Sequence, residues 1–203
     1  MNKGEQTRLR IVKEAAALLN RHGYQGLAYS DLMAATGLEK GGIYRHFAGK
    51  EALATEAFEY AWKRAVEHRQ HDLQSIEDSV DRLKQFVSNF VNRRPGVPGG
   101  CPLLNTAVDA DDGNPELRKH AERALRCWLM ALTRLIRRGQ RRGEIQSQVD
   151  PPKLARLLVS TLEGALMISR LERKPIALLE AEAHLHQVCD RLRLSAKEKT
   201  SFA

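Results

Sequence analysis

The 203-residue chain is poor in cysteine, with only Cys101, Cys127 and Cys189, an odd number at wide spacings. That usage excludes a disulfide framework and is what reduced thiols in a cytoplasmic protein look like. Long apolar runs are missing as well. The most apolar stretch, Leu157 to Ile168, is interrupted by Glu163 and falls short of the ~20 residues that span a bilayer. Arg8, Arg10, Lys13 and Glu14 break up the N-terminal segment, so no signal peptide and no membrane partner is expected. No run alternates β-branched residues, no Asn-Gly or Asp-Gly pair marks a hairpin, and internal repeats and low-complexity tracts are absent. Catalytic signatures are missing too: no phosphate-cradling glycine loop after a strand, no G-x-S-x-G elbow and no H-E-x-x-H helix. The chain therefore reads as a non-enzyme without a cofactor. Asp109 to Asn114 has the look of a calcium loop but fails as one, because Gly113 takes the fifth ligand position and His120 stands where a bidentate Glu belongs. The loop reads instead as a helix stop and cap. The pairs His68/His71 and His184/His186 lack further convergent ligands, so no metal is expected.

What is present is positive charge and helical periodicity. The chain has 33 basic against 25 acidic residues, a net charge of +8, on a composition that is 42% hydrophobic. The charge points towards polyanions, and the apolar content excludes a disordered basic tail. At this length folding buries roughly 70% of the unfolded surface, so no metal or disulfide staple is required. Punctuation falls at Gly23, Gly26, Gly37, Gly49, Pro95 to Gly100, Gly113 to Pro115, Gly143, Pro151-Pro152 and Pro175. Between these marks lie about nine segments of helical length, so the fold class is all-α. The first spans roughly 4–21, with Leu9, Val12, Ala16 and Leu19 on one face and Gly23 suited to a positive-φ C-terminal cap. Two short ones follow, 30–36 and 40–47, and then one from Lys50 past Trp62. Longer segments are expected at 76–92, 103–110, 115–142, 151–170 and 175–194. Asn114-Pro115 and Asp150-Pro151 are favoured helix starts.

Two short helices joined by Gly37-Leu38-Glu39 have the form of a helix-turn-helix, although an ordinary helical hairpin has the same spacing. On the second helix Ile43 and Phe47 would pack inwards, leaving Gly41, Tyr44, Arg45 and Ala48 exposed. That face offers an Arg for base edges and a Tyr hydroxyl for a phosphate. Gly41 and Gly42 cost roughly 1 kcal/mol each in a helix relative to Ala, tolerable where the backbone must approach another molecule. Lys50 begins the next helix, where the dipole favours a phosphate. Residues 1–50 carry eight basic and four acidic side chains.

The stretch Gly37-Leu38-Glu39-Lys40-Gly41-Gly42-Ile43-Tyr44-Arg45-His46-Phe47-Ala48-Gly49-Lys50-Glu51-Ala52-Leu53 resembles the DNA-binding segment of the TetR family of bacterial transcriptional regulators. Ala15 to Leu19 and Gly23-Tyr24 are similar to that family's first helix. The resemblance implies an N-terminal three-helix DNA-binding domain over 1–53 and a larger helical effector-binding and dimerisation domain over 54–203. It implies that the helix from Lys40 enters the major groove, with Lys40, Tyr44, His46 and Lys50 on phosphates and Gly42 and Arg45 nearest base edges; Ser30 and Gly41 join this DNA-binding set. Two positions depart from the family pattern. Ala28 stands where a capping Thr or Ser is usual, and Glu39, in place of a common Ser, retains a side chain able to cap.

Further on, Gly139 to Ile145 followed by Asp150-Pro151 resembles the usual end of the family's regulatory domain, and Gly100 to Asn105 resembles one subgroup. Leu178, Leu185 and Leu192 recur every seven residues, with Ala181 and Val188 between them, and Leu154, Leu158, Leu162, Ala165 and Ile168 form a stripe one helix earlier, together the expected homodimer interface. The alternative is that both stripes face the chain's own core. Phe86, Phe90, Cys101, Leu104, Trp128 and Leu132 are the residues expected to line an effector pocket, which points to a hydrophobic or aromatic ligand. Cys101, at the start of a short helix whose dipole favours a thiolate, is also a candidate sensor of electrophiles or oxidants. Nine basic residues against Glu122 alone over 118–142 read as the solvated face of an amphipathic helix, with a second nucleic-acid surface as the alternative. The expectation is a cytoplasmic, homodimeric repressor released from a palindromic double-stranded DNA operator by a small hydrophobic effector. The alternatives are a thiol sensor on the same scaffold and a helical small-molecule binding protein without DNA binding.

Overall fold

A computed structural model describes residues 2–93 and 96–194; Pro95, one of the expected breaks, lies outside them. Among the described residues the chain forms nine α-helices and one short 3-10 turn, with no strand. They are α1 (Lys3–His22), α2 (Tyr29–Thr36), α3 (Lys40–Tyr44), α4 (Lys50–Arg69), α5 (Ser79–Asn92), α6 (Pro102–Ala110), α7 (Pro115–Arg141), α8 (Pro151–Glu172) and α9 (Ile176–Arg191). No helix among them is long and apolar enough to cross a membrane.

The chain divides into two compact units, one of residues 1–67 with 94–125 and the other of residues 68–93 with 126–203. In the first unit α1 buries Ile11, Val12, Ala15, Ala16 and Leu19. It ends at Gly23, whose φ of 71° is open to glycine and whose N–H donates to the Leu19 carbonyl. Asp109, at the end of α6, accepts a 2.7 Å bond from the Tyr24 N–H, so the acidic loop ties down the end of α1. Asn20 and Asn105 knit the glycine-rich 98–100 segment to α1: Asn20 Nδ2 donates to the Pro98 carbonyl at 2.9 Å, and Asn105 Nδ2 to the Gly99 carbonyl at 2.8 Å.

The second unit is built on α5, α8, α9 and the later part of α7. Val80, Leu83, Phe86, Val87 and Phe90 of α5, Leu154, Leu158, Leu162 of α8 and Leu185 and Cys189 of α9 are all buried. Its helix starts follow local chemistry. Asp150 Oδ1 accepts from the Lys153 N–H, and Asp78 Oδ1 accepts from the N–H groups of Val80 and Asp81, each at a distance between 2.9 and 3.1 Å. In the first unit Asn114 caps α7 in the same way through the N–H groups of Glu116 and Leu117.

Leu158, Leu162, Ala165, Leu185 and Leu192 are buried inside the single chain, and Leu178 is half-buried. These residues pack the helices of one protomer together. Ile168, the last residue of the expected α8 stripe, is exposed, as are Leu157, Met167 and Leu171 of the same helix and Ile176 and Leu179 of α9.

Candidate nucleic-acid interface

The α2–turn–α3 unit is compact because Leu32 and Thr36 of α2, Ile43 of α3 and Phe47 beyond it all turn inwards. Gly37 makes the reversal at φ 65°, ψ 21°, the left-handed conformation that a C-terminal cap favours. Neither short helix has a side-chain cap. Ala28 has none to offer, and Glu39, expected to be able to cap, occupies the N-cap position without making the bond. α3 is also shorter than the expected 40–47 segment. It closes at Tyr44, and a turn with a 2.9 Å bond from the His46 N–H to the Ile43 carbonyl carries the chain to Phe47.

Lys40, Gly41, Tyr44 and Arg45 are exposed on this element, as is Ser30 on α2; Gly42, His46 and Lys50 are half-buried. An added Cβ would meet nothing within 4 Å at Gly41, and at Gly42 only the Leu38 Cβ, at 3.8 Å. Nothing in the chain itself therefore requires glycine at these two positions. Tyr44, 45% exposed, is held by an aromatic stack: the Tyr29 ring lies 4.8 Å away, centroid to centroid, tilted by 18°. Burial, with the adjacent Tyr44 hydroxyl, pushes the Tyr29 hydroxyl up to about 12, so it stays neutral at any physiological pH. The Lys40 ammonium sits 5.8 Å from the Tyr44 ring centre. Lys50 donates to the Gln25 carbonyl at 3.2 Å and lies 4.8 Å from the Tyr24 ring centre, so it also braces the loop between α1 and α2.

Two residues of this site carry no signal that sequence reasoning could use. Tyr29 is an ordinary helix-start residue in the sequence, and only its ring stack reveals what it supports. Arg8 of α1 donates to the His46 carbonyl, forms an ion pair with Glu56 of α4 and covers the Phe47 ring at 4.3 Å. It thereby fixes the segment just past α3 against two other helices. Its 38-residue separation from His46 leaves no local trace.

The expected pocket residues divide. Phe86, Phe90 and Trp128 come together in the second unit, with ring centroids 6.0 Å apart for Phe86–Trp128 and 6.2 Å for Phe90–Trp128. Leu132 is buried one turn further along α7 from Trp128. Cys101 and Leu104 belong to the first unit. The Cys101 thiol does stand at the N-cap of α6, but it is only 1% exposed. Cys189 is buried as well, and that burial, with the Asp190 charge, pushes its thiol up to about 11; Cys127 is exposed. Among the described residues no three His, Cys, Asp or Glu side chains are grouped to hold a metal ion.

Comparison with known proteins agrees with this architecture. Residues 11–57 match the family model described as bacterial regulatory proteins, tetR family, and residues 79–185 match a tetracyclin repressor-like C-terminal domain. The chain is 44% identical to a TetR transcriptional regulator from Chloroflexus aurantiacus J-10-FL, covering 96% of this chain and all of that one, with a TM-score of 0.91. A TetR-family regulator from Cytophaga hutchinsonii is 31% identical, over 96% of this chain and 98% of that one, with a TM-score of 0.89. Among curated relatives, the HTH-type transcriptional repressor DhaR of Mycobacterium sp. (strain GP1) is 26% identical, over 82% of this chain and 83% of its own length. With both halves matched and the fold shared over 96% of the chain, the chain belongs to the TetR family of bacterial transcriptional regulators.

Proposed function

We propose that the protein is a homodimeric, ligand-responsive repressor that reads a palindromic operator through α3. Residues 1–53 carry DNA binding, and residues 54–203 carry effector binding and dimerisation. The observation that supports this best is the open space over Gly41 and Gly42 on an exposed face bearing Lys40, Tyr44 and Arg45. Helix glycines that no neighbour in the chain requires are explained by a backbone that lies against a partner, and the flanking side chains suit a DNA groove. Lys40, Tyr44, His46 and Lys50 contact phosphates, with Ser30 and Gly41 close to the backbone; Arg45 and Gly42 face base edges. Tyr29 and Arg8 touch no DNA in this reading and act as positioning residues, one for Tyr44 and the other for His46.

The exposed apolar residues of α8 and α9 support the dimer. Leu157, Ile168 and Leu171 share one face of α8 at heptad-compatible spacing, and Ile176 and Leu179 extend an apolar surface onto α9. Two-fold pairing of such a face sets the two recognition helices one or a few helical turns of DNA apart, multiples of about 34 Å. An effector in the second unit releases the operator by favouring a conformation in which that spacing is lost.

The test is fluorescence anisotropy on DNA from just upstream of the protein's own gene, and then on genome-selected fragments, with nonspecific competitor and a salt series. Lys40→Ala and Lys50→Ala should each weaken binding to all sequences, and each phosphate interaction removed should lower the log–log salt slope by about 0.9. Arg45→Ala should relax discrimination at one base pair by about 1–3 kcal/mol. Specific binding that is absent from every fragment, or that these three substitutions leave untouched, overturns the reading.

A further inference from the structure

Arg69 is the last residue of α4 and lies in the second unit, 6% exposed. Its guanidinium carbon sits 4.4 Å from the Trp128 ring centre and 4.6 Å from that of Phe90. Those two rings are nearly parallel, at 13°, and Phe86 meets Trp128 edge-on. Glu163 of α8, 9% exposed, brings Oε1 to 3.7 Å from Arg69 Nη2, close enough for an ion pair and too far for a hydrogen bond. Aromatic faces with a carboxylate beside them are the chemistry that recognises an organic cation. Here the cation is supplied by the chain itself.

The backbone at the end of α4 has an anchor of its own. Asn89 Nδ2 donates to the Arg69 carbonyl at 3.1 Å and to the His71 carbonyl at 2.8 Å, bonds that do not involve the guanidinium. Stability gives little reason for a pair of this kind, since apolar replacements of buried ion pairs are often neutral or stabilising. We propose that Phe86, Phe90, Trp128 and Glu163 form a binding site for a small organic cation, an amidinium or quaternary ammonium head on an apolar body, and that the Arg69 guanidinium is its internal occupant, displaced when the ligand enters. Exchange of one cation for another leaves Glu163 with a positive partner and the rings with a positive charge to face. A carboxylate ligand would instead bring a second negative charge up to Glu163. The inference narrows the effector class of the function proposed above and rests on that reading only for its consequence at DNA.

Calorimetric titration with benzamidine, benzamide and benzoate tests it, because the three share a shape and differ in charge. The full-length protein should bind benzamidine at least ten-fold more tightly than either of the others. Removing the internal competitor by Arg69→Ala, or by Arg69→Met where the volume of the stem is needed for folding, should tighten benzamidine binding by ten-fold or more. Glu163→Gln should weaken it by at least ten-fold. A purely structural Arg69 predicts variants that are less stable and bind no better. Equal binding of benzamide or benzoate, or Arg69 variants that bind benzamidine no more tightly than the parent, overturns the proposal. Cation binding that leaves operator affinity unchanged upholds the site and overturns its role as the effector site. Failure of operator binding itself strikes the DNA reading and leaves the calorimetry intact.

Discussion

The sharpest test of the quaternary reading sets two leucines of neighbouring helices against each other. Leu171 of α8 is 79% exposed, whereas Leu185 of α9, one of the heptad leucines, is 3% exposed. Replacing Leu by Ala removes three carbons, worth about 0.8 kcal/mol each when fully buried. Scaled by its exposed fraction, Leu171→Ala forfeits about 2 kcal/mol of burial at a fully closing interface. A two-fold interface counts the residue twice, giving about 4 kcal/mol and roughly a 700-fold rise in the dimer dissociation constant. Leu185→Ala removes its carbons from the protomer's own core instead, and should cost about 2–5 kcal/mol of folding stability. Sedimentation equilibrium well below the melting temperature reads the first quantity, and urea unfolding at fixed protein concentration reads the second. Leu171→Ala should dissociate the dimer while each protomer stays folded, and Leu185→Ala should do the reverse. A Leu171→Ala dissociation constant within five-fold of the parent would refute the exposed-face assignment. So would a Leu185→Ala protein that dissociates as readily.

Three further outcomes follow from the same geometry. Tyr29→Leu should lower operator affinity by up to ~10-fold, the worth of one aromatic pair, and add little in a Tyr44→Ala background, while Tyr29→Phe keeps the stack and stays within about three-fold; additive effects in the double variant would show that Tyr29 acts elsewhere. A colorimetric thiol assay at pH 8 should find Cys127 reacting quickly in the native protein and Cys101 and Cys189 reacting only in denaturant, and a fast Cys101 would favour the thiol-sensor alternative. Burial alone would raise Asp78, but the N–H groups of Asp81 and Val80 and the Arg193 guanidinium outweigh it and hold the carboxyl below its ordinary range. Its contribution to stability is therefore complete above the unfolded value near 3.9 and fades as pH falls through the lower folded value. Asp78→Ala should cost about 1 kcal/mol at pH 7 and progressively less below pH 4, as read by urea unfolding across pH; a deficit that grows on acidification contradicts this.

How much of the fold and the site is legible in the residues depends on how local each determinant is. Asn114 and Asp150 act on backbone N–H groups two or three residues away, so the starts of α7 and α8 are plain in the sequence. The spacing of Ile43 and Phe47 correctly marks both as inward-facing but overstates the length of α3. A four-residue apolar spacing is met equally well by a five-residue helix and a turn, once Arg8 holds the His46 carbonyl from outside. The leucine heptad leaves its partner open for a different reason. Periodicity says that a helix face meets something apolar, and α8 and α9 each have two such faces, one against α5 and each other and one open. Nothing in a spacing of seven says which face belongs to the protomer and which to a partner. Arg69 is the extreme case. Its ion-pair partner is 94 residues away on α8, and its rings lie on α5 and α7, so no local pattern in the sequence joins the cation to the rings it faces. Aromatic residues taken by themselves point to a hydrophobic ligand, and only the charge found among them changes what such a pocket selects.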